Sequence, residues 1–109
     1  NRSICNSTNP IKIDDSYLMF FHSKDSGIYS HGACLIDAYT KEVTHYLRNG
    51  LSLPFNGHGF QKTILYVSGA VYLAGENIVR IYAGECDTNS VYFDFDKDVL
   101  ISEIKKYKV

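Results

Sequence analysis

Apolar residues along the chain fall in short runs of β-branched and aromatic side chains, separated by stretches rich in Gly, Asn, Asp and Ser. This pattern is typical of β-strands joined by turns. It predicts strands at residues 10–13, 17–22, 28–37, 42–47, 62–73, 77–83 and 90–95. Turns are predicted at Asp14-Asp15-Ser16, Asp25-Ser26-Gly27, Arg48-Asn49-Gly50 and Ala74-Gly75-Glu76, and a glycine-containing loop at 56–59.

The end of the chain has a different pattern. Asp96 can cap a helix, and Val99, Leu100, Ile104 and Tyr107 then form an apolar stripe at helical spacing, with lysines following in the last turn. A C-terminal helix over 97–107 is therefore predicted. The fold class is all-β with one C-terminal helix.

Two segments of the chain share one order of features: a strand, a tight turn, a second strand and a polar loop. Ile11 aligns with Val71 at an offset of 60 residues, and Asp25 aligns with Asp87 at an offset of 62. In both polar loops the aspartate precedes a hydroxyl residue, and each loop leads into a further strand. The sequence therefore predicts an internal repeat of β-hairpins.

Such a repeat is typical of the blades of a β-propeller. The prediction is a single segment, 1–109, with about two antiparallel blades at 10–55 and 62–96, and a boundary between Leu47 and Gln61. The alternative is a compact β-sandwich with a capping helix, which the same strand spacing allows.

The charge and the cysteine content of the chain exclude several classes of binding partner. The net charge is −1, without a basic patch suited to nucleic acid or an anionic membrane, and no apolar stretch approaches the length of a membrane span. The three cysteines have no metal-ligand spacing and no paired pattern, which favours a reducing compartment such as the cytoplasm. No metal site is predicted, and no nucleic acid or membrane partner.

The two polar loops are the first candidates for chemistry. If they lie at equivalent places in neighbouring blades, they present His22, Lys24, Asp25, Asp87 and Asn89 to a common ligand. Carboxylates and amides suit sugar hydroxyls, whereas His and Lys suit an anion. The alternative is structural: an aspartate before Ser or Thr commonly bonds to its own turn, and a histidine at a strand end commonly packs there.

Four motifs in register resemble one known family. Residues 9–26, N-P-I-K-I-D-D-S-Y-L-M-F-F-H-S-K-D-S, continue into G-I-Y-S-H-G-A-C-L-I-D at 27–37, and are followed by Y-V-S-G-A-V at 66–71 and I-Y-A-G-E-C-D-T at 81–88. Together they resemble the C-terminal part of glycoside hydrolase family 130, the β-mannoside phosphorylases and related hydrolases. The resemblance extends from Pro10 over nearly the whole chain.

The resemblance implies a five-bladed β-propeller that acts on mannose-containing oligosaccharides. By motif position, Lys12 and His22 correspond to phosphate-binding residues, and Tyr29, Tyr66 and Asp87 to sugar-binding residues. Inorganic phosphate would be a co-substrate in a phosphorylase, with no other cofactor. Since Lys12 and His22 flank a tight turn, we expect them to meet across paired strands and to share a cavity with Asp87.

The resemblance assigns no catalytic residue to this chain, because the family's catalytic acid belongs to blades that the 109 residues do not include. The chain is then a segment of a glycosidase that is inactive alone and pairs with the remaining blades or with another copy of itself. The alternative is a non-catalytic module that binds carbohydrate or pairs structurally with another chain.

Overall fold

The fold is all-β with one C-terminal helix, as the sequence predicts. A computed structural model describes the backbone of residues 3–6, 8–25, 28–47, 65–85 and 89–109, and the side chains of 8–22, 30–47, 67–84 and 90–109. The predicted turn at Arg48-Asn49-Gly50, the loop at 56–59 and the centre of the turn at Asp25-Ser26-Gly27 lie outside these residues.

Within the described part of the chain, the regular elements are eight strands, a short 3-10 helix at Ala74–Glu76 and one α-helix. The strands are β1 (Ser3–Asn6), β2 (Ile11–Ile13), β3 (Ser16–Asp25), β4 (Ile28–Asp37), β5 (Val43–Tyr46), β6 (Leu65–Leu73), β7 (Ile78–Glu85) and β8 (Asn89–Asp96). The helix, α1, comprises Lys97–Lys105.

The strands form two separate antiparallel sheets. In the first sheet the order is β1-β3-β4-β5, and β2 pairs with the part of β3 that β1 leaves uncovered. In the second sheet the order is β6-β7-β8. Thr8 lies between β1 and β2, where its buried hydroxyl accepts a hydrogen bond of 3.3 Å from the Phe20 amide.

The two sheets contribute their inner faces to one hydrophobic core. Among the described side chains of β3, β4, β7 and β8, alternate residues point inward, as the two-residue period of a strand requires. The core residues are Ile13, Leu18, Phe20, Ala33 and Leu35 from the first sheet and its β2 edge, Val67, Ala70, Val79, Ile81 and Ala83 from the second, and Leu100 and Ile104 from α1. Paired blades and a sandwich both require such a core, so the choice between them stays a prediction.

The helix closes one end of the core. Asp96 accepts a hydrogen bond of 3.0 Å from the Val99 amide, which caps the helix as predicted. Beyond the helix, residues 107–109 turn back along the edge of β5. The Tyr46 amide donates to the Tyr107 carbonyl, and the Val109 amide donates to the Thr44 carbonyl.

Candidate functional site

The two residues predicted to bind phosphate do not meet across the strands. Lys12 lies opposite Tyr17 in the β2–β3 pairing, and His22 is five positions further along β3. Five strand residues span about 17 Å, and an odd number of positions places the two side chains on opposite faces of the sheet. The predicted contact between Lys12 and His22 is therefore wrong. The phosphate-binding role of each residue stays a prediction.

His22 faces the interior rather than a cavity at the surface. It is only 7% exposed and lies on the same face of β3 as Leu18 and Phe20. Its backbone pairs with His31 in β4 on one side and with Cys5 in β1 on the other. Lys12, by contrast, is exposed on the edge strand β2.

The three residues predicted to bind sugar are described only in part. Asp87 lies outside the described residues, and so do the side chains of Tyr29 and Tyr66. The backbone of Tyr29 pairs with Lys24, and that of Tyr66 pairs with Gly84. In sequence, Asp87 falls in the connection between β7 and β8.

The outer face of the second sheet holds a group of polar and aromatic residues that the motifs do not identify. Along β7 and β8 the inward positions are aliphatic or Phe, whereas the outward positions carry glycine, serine, tyrosine and charge. The outward residues along the middle of the sheet are Gly69, Val71, Arg80, Tyr82, Gly84, Ser90, Tyr92 and Asp94, and Leu73 and Ile78 follow on the same face at the turn. We call this surface the tyrosine face.

A shallow cavity of about 380 Å³ opens on the tyrosine face. It is an open depression of the surface rather than an enclosed pocket. A β-bulge between Val67 and Gly69 lies at this place in β6, and Ser68 within the bulge contributes to the wall. The lining residues are Ser68, Tyr82, Ala83, Gly84, Ser90, Val91 and Tyr92.

Two tyrosines form the aromatic wall of the cavity. Tyr82 and Tyr92 pair directly across β7 and β8, with ring centroids 6.4 Å apart and planes inclined by 52°. Their exposed fractions are 41% and 58%. The two rings are therefore tilted against each other and do not form a flat strip.

Arg80 and Asp94 hold the tyrosine pair in place from one side. The guanidinium donates hydrogen bonds of 2.8 and 3.0 Å to the two Asp94 oxygens, through Nε and Nη2. It also lies over the Tyr92 ring, 4.4 Å from the centroid. Hydrogen bonding to the Asp94 carboxylate raises the pKa of Arg80, and hydrogen bonding to Arg80 lowers the pKa of Asp94.

The sequence contains a signal for this site that a motif comparison does not reveal. In residues 79–83 and 91–95, every second residue is apolar. The residues between them are Arg80, Tyr82, Tyr92 and Asp94. Aligning the two strands as a hairpin would have brought these four residues together on one face.

The sequence matches no protein-family model and no curated protein. Among the described residues, no helix has the length and apolarity that a membrane span requires. The same residues contain no group of three or more His, Cys, Asp or Glu side chains that could hold a metal ion.

Proposed function

We propose that this chain is a carbohydrate-binding segment of a glycosidase that resembles the β-mannoside phosphorylases and hydrolases, and that it has no turnover of its own. The observation that supports the binding function is the pair of exposed, inclined tyrosines that line a shallow cavity. The ligand class is a mannose-containing oligosaccharide, as the family resemblance implies.

The chemistry of the tyrosine face suits a sugar. A pyranose has apolar C–H surfaces that pack against aromatic rings, and hydroxyl groups at its rim that need both donors and acceptors. Tyr82 and Tyr92 supply the aromatic surface, because Tyr offers a rigid, amphipathic side chain at low entropic cost. Ser68 and Ser90 supply hydroxyls, and the neighbouring Arg80–Asp94 pair supplies N–H donors and carboxylate oxygens.

Two of the residues assigned by the family resemblance, Tyr66 and Asp87, are close to the cavity-lining residues in strand pairing or in sequence. Tyr66 pairs with Gly84, which lines the cavity, and Asp87 belongs to the connection between the strands that carry Gly84 and Ser90. Lys12, His22 and Tyr29, by contrast, belong to the first sheet. Inorganic phosphate remains the proposed co-substrate of the complete enzyme, but Lys12 and His22 do not bind one phosphate together, because they lie on opposite faces of the sheet.

The proposed compartment is the cytoplasm, and the proposed partners are the remaining blades or another copy of the chain. Cys34 is a buried free thiol, and burial raises its pKa. A thiol kept in this neutral form is protected from oxidation.

Titration of the chain with mannobiose and mannotriose, followed by NMR, tests the binding function. We expect shifts at Tyr82, Tyr92, Gly84 and Ser90, and a loss of affinity of about tenfold or more in Tyr92→Ala. Tyr39→Ala is the matched control, since Tyr39 is 83% exposed in the turn before β5 and remote in sequence from the tyrosine face. Equal losses in both variants, or no binding by the wild type, would refute the proposal.

A second candidate function is supported by the outer face of the first sheet. Tyr17, Met19, Phe21 and Ile36 lie there, partly exposed, and form an apolar surface. Such a surface suits a structural module that packs against another chain. Sedimentation of the protein distinguishes the two: self-association without any affinity for sugar favours the structural function.

A further inference from the structure

Two histidines are directly opposite each other on the inner face of the first sheet. His22 in β3 pairs with His31 in β4. His22 is 7% exposed, and His31 is partly exposed. The next pair along the same face is Phe20 with Ala33, and both of these side chains are 1% exposed or less. The histidine pair therefore lies where this face changes from core to partly exposed surface.

The hydrogen-bond pattern of β3 and β4 brings the two histidine side chains close together. At the open end of this strand pairing, the Ala38 amide donates to the Asp15 carbonyl, so these two opposed residues form a hydrogen-bonded pair. Hydrogen-bonded and non-hydrogen-bonded pairs alternate along an antiparallel ladder. His22 and His31 are seven positions further along, an odd number, and are therefore a non-hydrogen-bonded pair.

The Phe20 amide agrees with this phase, because it donates to Thr8 on the side of β3 that faces away from β4. Non-hydrogen-bonded pairs have the closest side chains in an antiparallel sheet, with Cβ atoms roughly 4.5–5.5 Å apart. Two imidazole nitrogens that bind one zinc ion at about 2.0–2.1 Å in tetrahedral geometry are about 3.4 Å apart. Rotation of the two side chains can reach this distance from the spacing of their Cβ atoms.

We infer that His22 and His31 form a binding site for a divalent transition-metal ion of the zinc type. Imidazole nitrogen is a preferred ligand of such ions. The backbone of Cys5 in β1 is opposite His22 on the other side, so the register places a third residue of a metal-ligating type in the same row. The inference does not rest on the proposed sugar site, and it gives His22 a different role from the phosphate binding that the family resemblance implies.

Spacing along the chain does not indicate this site, which is why the sequence predicts no metal. Ligands within the common zinc motifs are a few residues apart, whereas His22 and His31 are nine positions apart on two different strands. Only the register of β3 against β4 makes them neighbours.

Zinc titration of the protein after dialysis against EDTA tests the inference, followed by calorimetry and by NMR of the histidine rings. The wild type should bind one Zn²⁺, with shifts in the rings of His22 and His31, and the ion should raise its melting temperature. His22→Gln and His31→Gln should each weaken zinc binding about tenfold or more, because a single imidazole is then left.

His45→Gln is the matched control, and zinc affinity should be unchanged in it. His45 is another partly buried histidine of the first sheet, but it is opposite Leu35, four residues along β4 from His31 or about 13 Å. If His22→Gln does not fold, His31→Gln decides the test, since His31 is the more exposed of the two. No zinc binding by the wild type, unchanged affinity in His31→Gln, or an equal loss in His45→Gln overturns the inference.

Discussion

The two sheets have similar strand connections and similar inner faces, but their outer faces carry different residues. In β2–β4 and in β6–β8, a hairpin with one left-handed residue, Asp14 or Asn77, is followed by a third antiparallel strand. The inner faces of both meanders supply aliphatic and aromatic residues to the same core. Both outer faces carry tyrosine and glycine, but the outer face of the second sheet also carries the Arg80–Asp94 ion pair, whereas Met19, Phe21 and Ile36 lie on that of the first.

This difference indicates where function is to be sought. Both inner faces have to bury apolar surface for the protein to fold. They are therefore similar in composition whatever the protein's function is. The outer face of the first sheet is largely filled, with the Phe21 ring packed over Gly32. On the second sheet, Gly69 has open space above it, and the cavity lies in the same face.

The largest expected effect tests whether the inner faces are equivalent. Phe20→Ala in the first sheet and Ile81→Ala in the second each remove a side chain that is 1% exposed or less. Each should lower the free energy of unfolding by roughly 2–5 kcal/mol, because the cavity left behind collapses only in part. Urea denaturation followed by circular dichroism measures this.

Both variants should lose stability in a single transition, since the two residues belong to the same core cluster. Separate unfolding transitions for the two sheets, or a loss of stability in only one variant, would show that the sheets are independent units. The inner faces would then not be equivalent.

A smaller effect tests the difference between the outer faces. In Gly32→Ala, the new methyl group would collide with the Phe21 ring, and we expect a loss of roughly 1–3 kcal/mol in stability. In Gly69→Ala the methyl group meets no atom within 4 Å, so stability should be unchanged or rise by up to about 1 kcal/mol. Thermal unfolding of the two variants, side by side, measures the difference. Equal effects would mean that the two faces are equally packed.

The smallest effect concerns charge. Asp37, at the end of the first sheet's β4, accepts hydrogen bonds of 2.8 Å from the amides of Tyr39 and Thr40, and the bonds from Thr40 and then Tyr39 lower its pKa. A lowered folded pKa means that the stabilisation is present above the unfolded value of about 3.9 and is lost as the pH falls through the folded value.

Asp37→Ala should therefore be less stable than the wild type at pH 6–7, by an amount that diminishes towards pH 2–3. Melting temperatures across this range measure it. Sugar binding should be unchanged, because Asp37 holds a turn rather than the tyrosine face. A difference that is constant with pH would show that the carboxylate charge is not responsible.

The strand pattern was predictable because it is local. The seven predicted strands and the helix agree with the described elements to within about three residues at each end. β1 was not predicted, since S-I-C-N is short, and its pairing with β3 joins residues 15 to 21 positions apart. Local propensity does not report such long-range pairing.

The site was less predictable because it depends on register. Lys12 and His22 are close to the same turn in sequence. Because Lys12 pairs with Tyr17, however, the two side chains lie on opposite faces of the sheet. Tyr82 and Tyr92 are brought together only when β7 and β8 are aligned residue by residue. The roles of Tyr29, Tyr66 and Asp87 stay predictions, because their side chains lie outside the described residues.

The pairing of residues 107–109 with β5 affects the order in which the first sheet forms during translation. Val109 bonds to Thr44, which lies 65 positions earlier in the chain. The edge of β5 therefore stays open on the ribosome until nearly all of these residues have emerged, and its closure requires a long loop. We expect the first sheet to nucleate from its β3–β4 hairpin and to acquire its final edge last. A stalled nascent chain that lacks residues 107–109 should thus expose β5 to pairing with other strands.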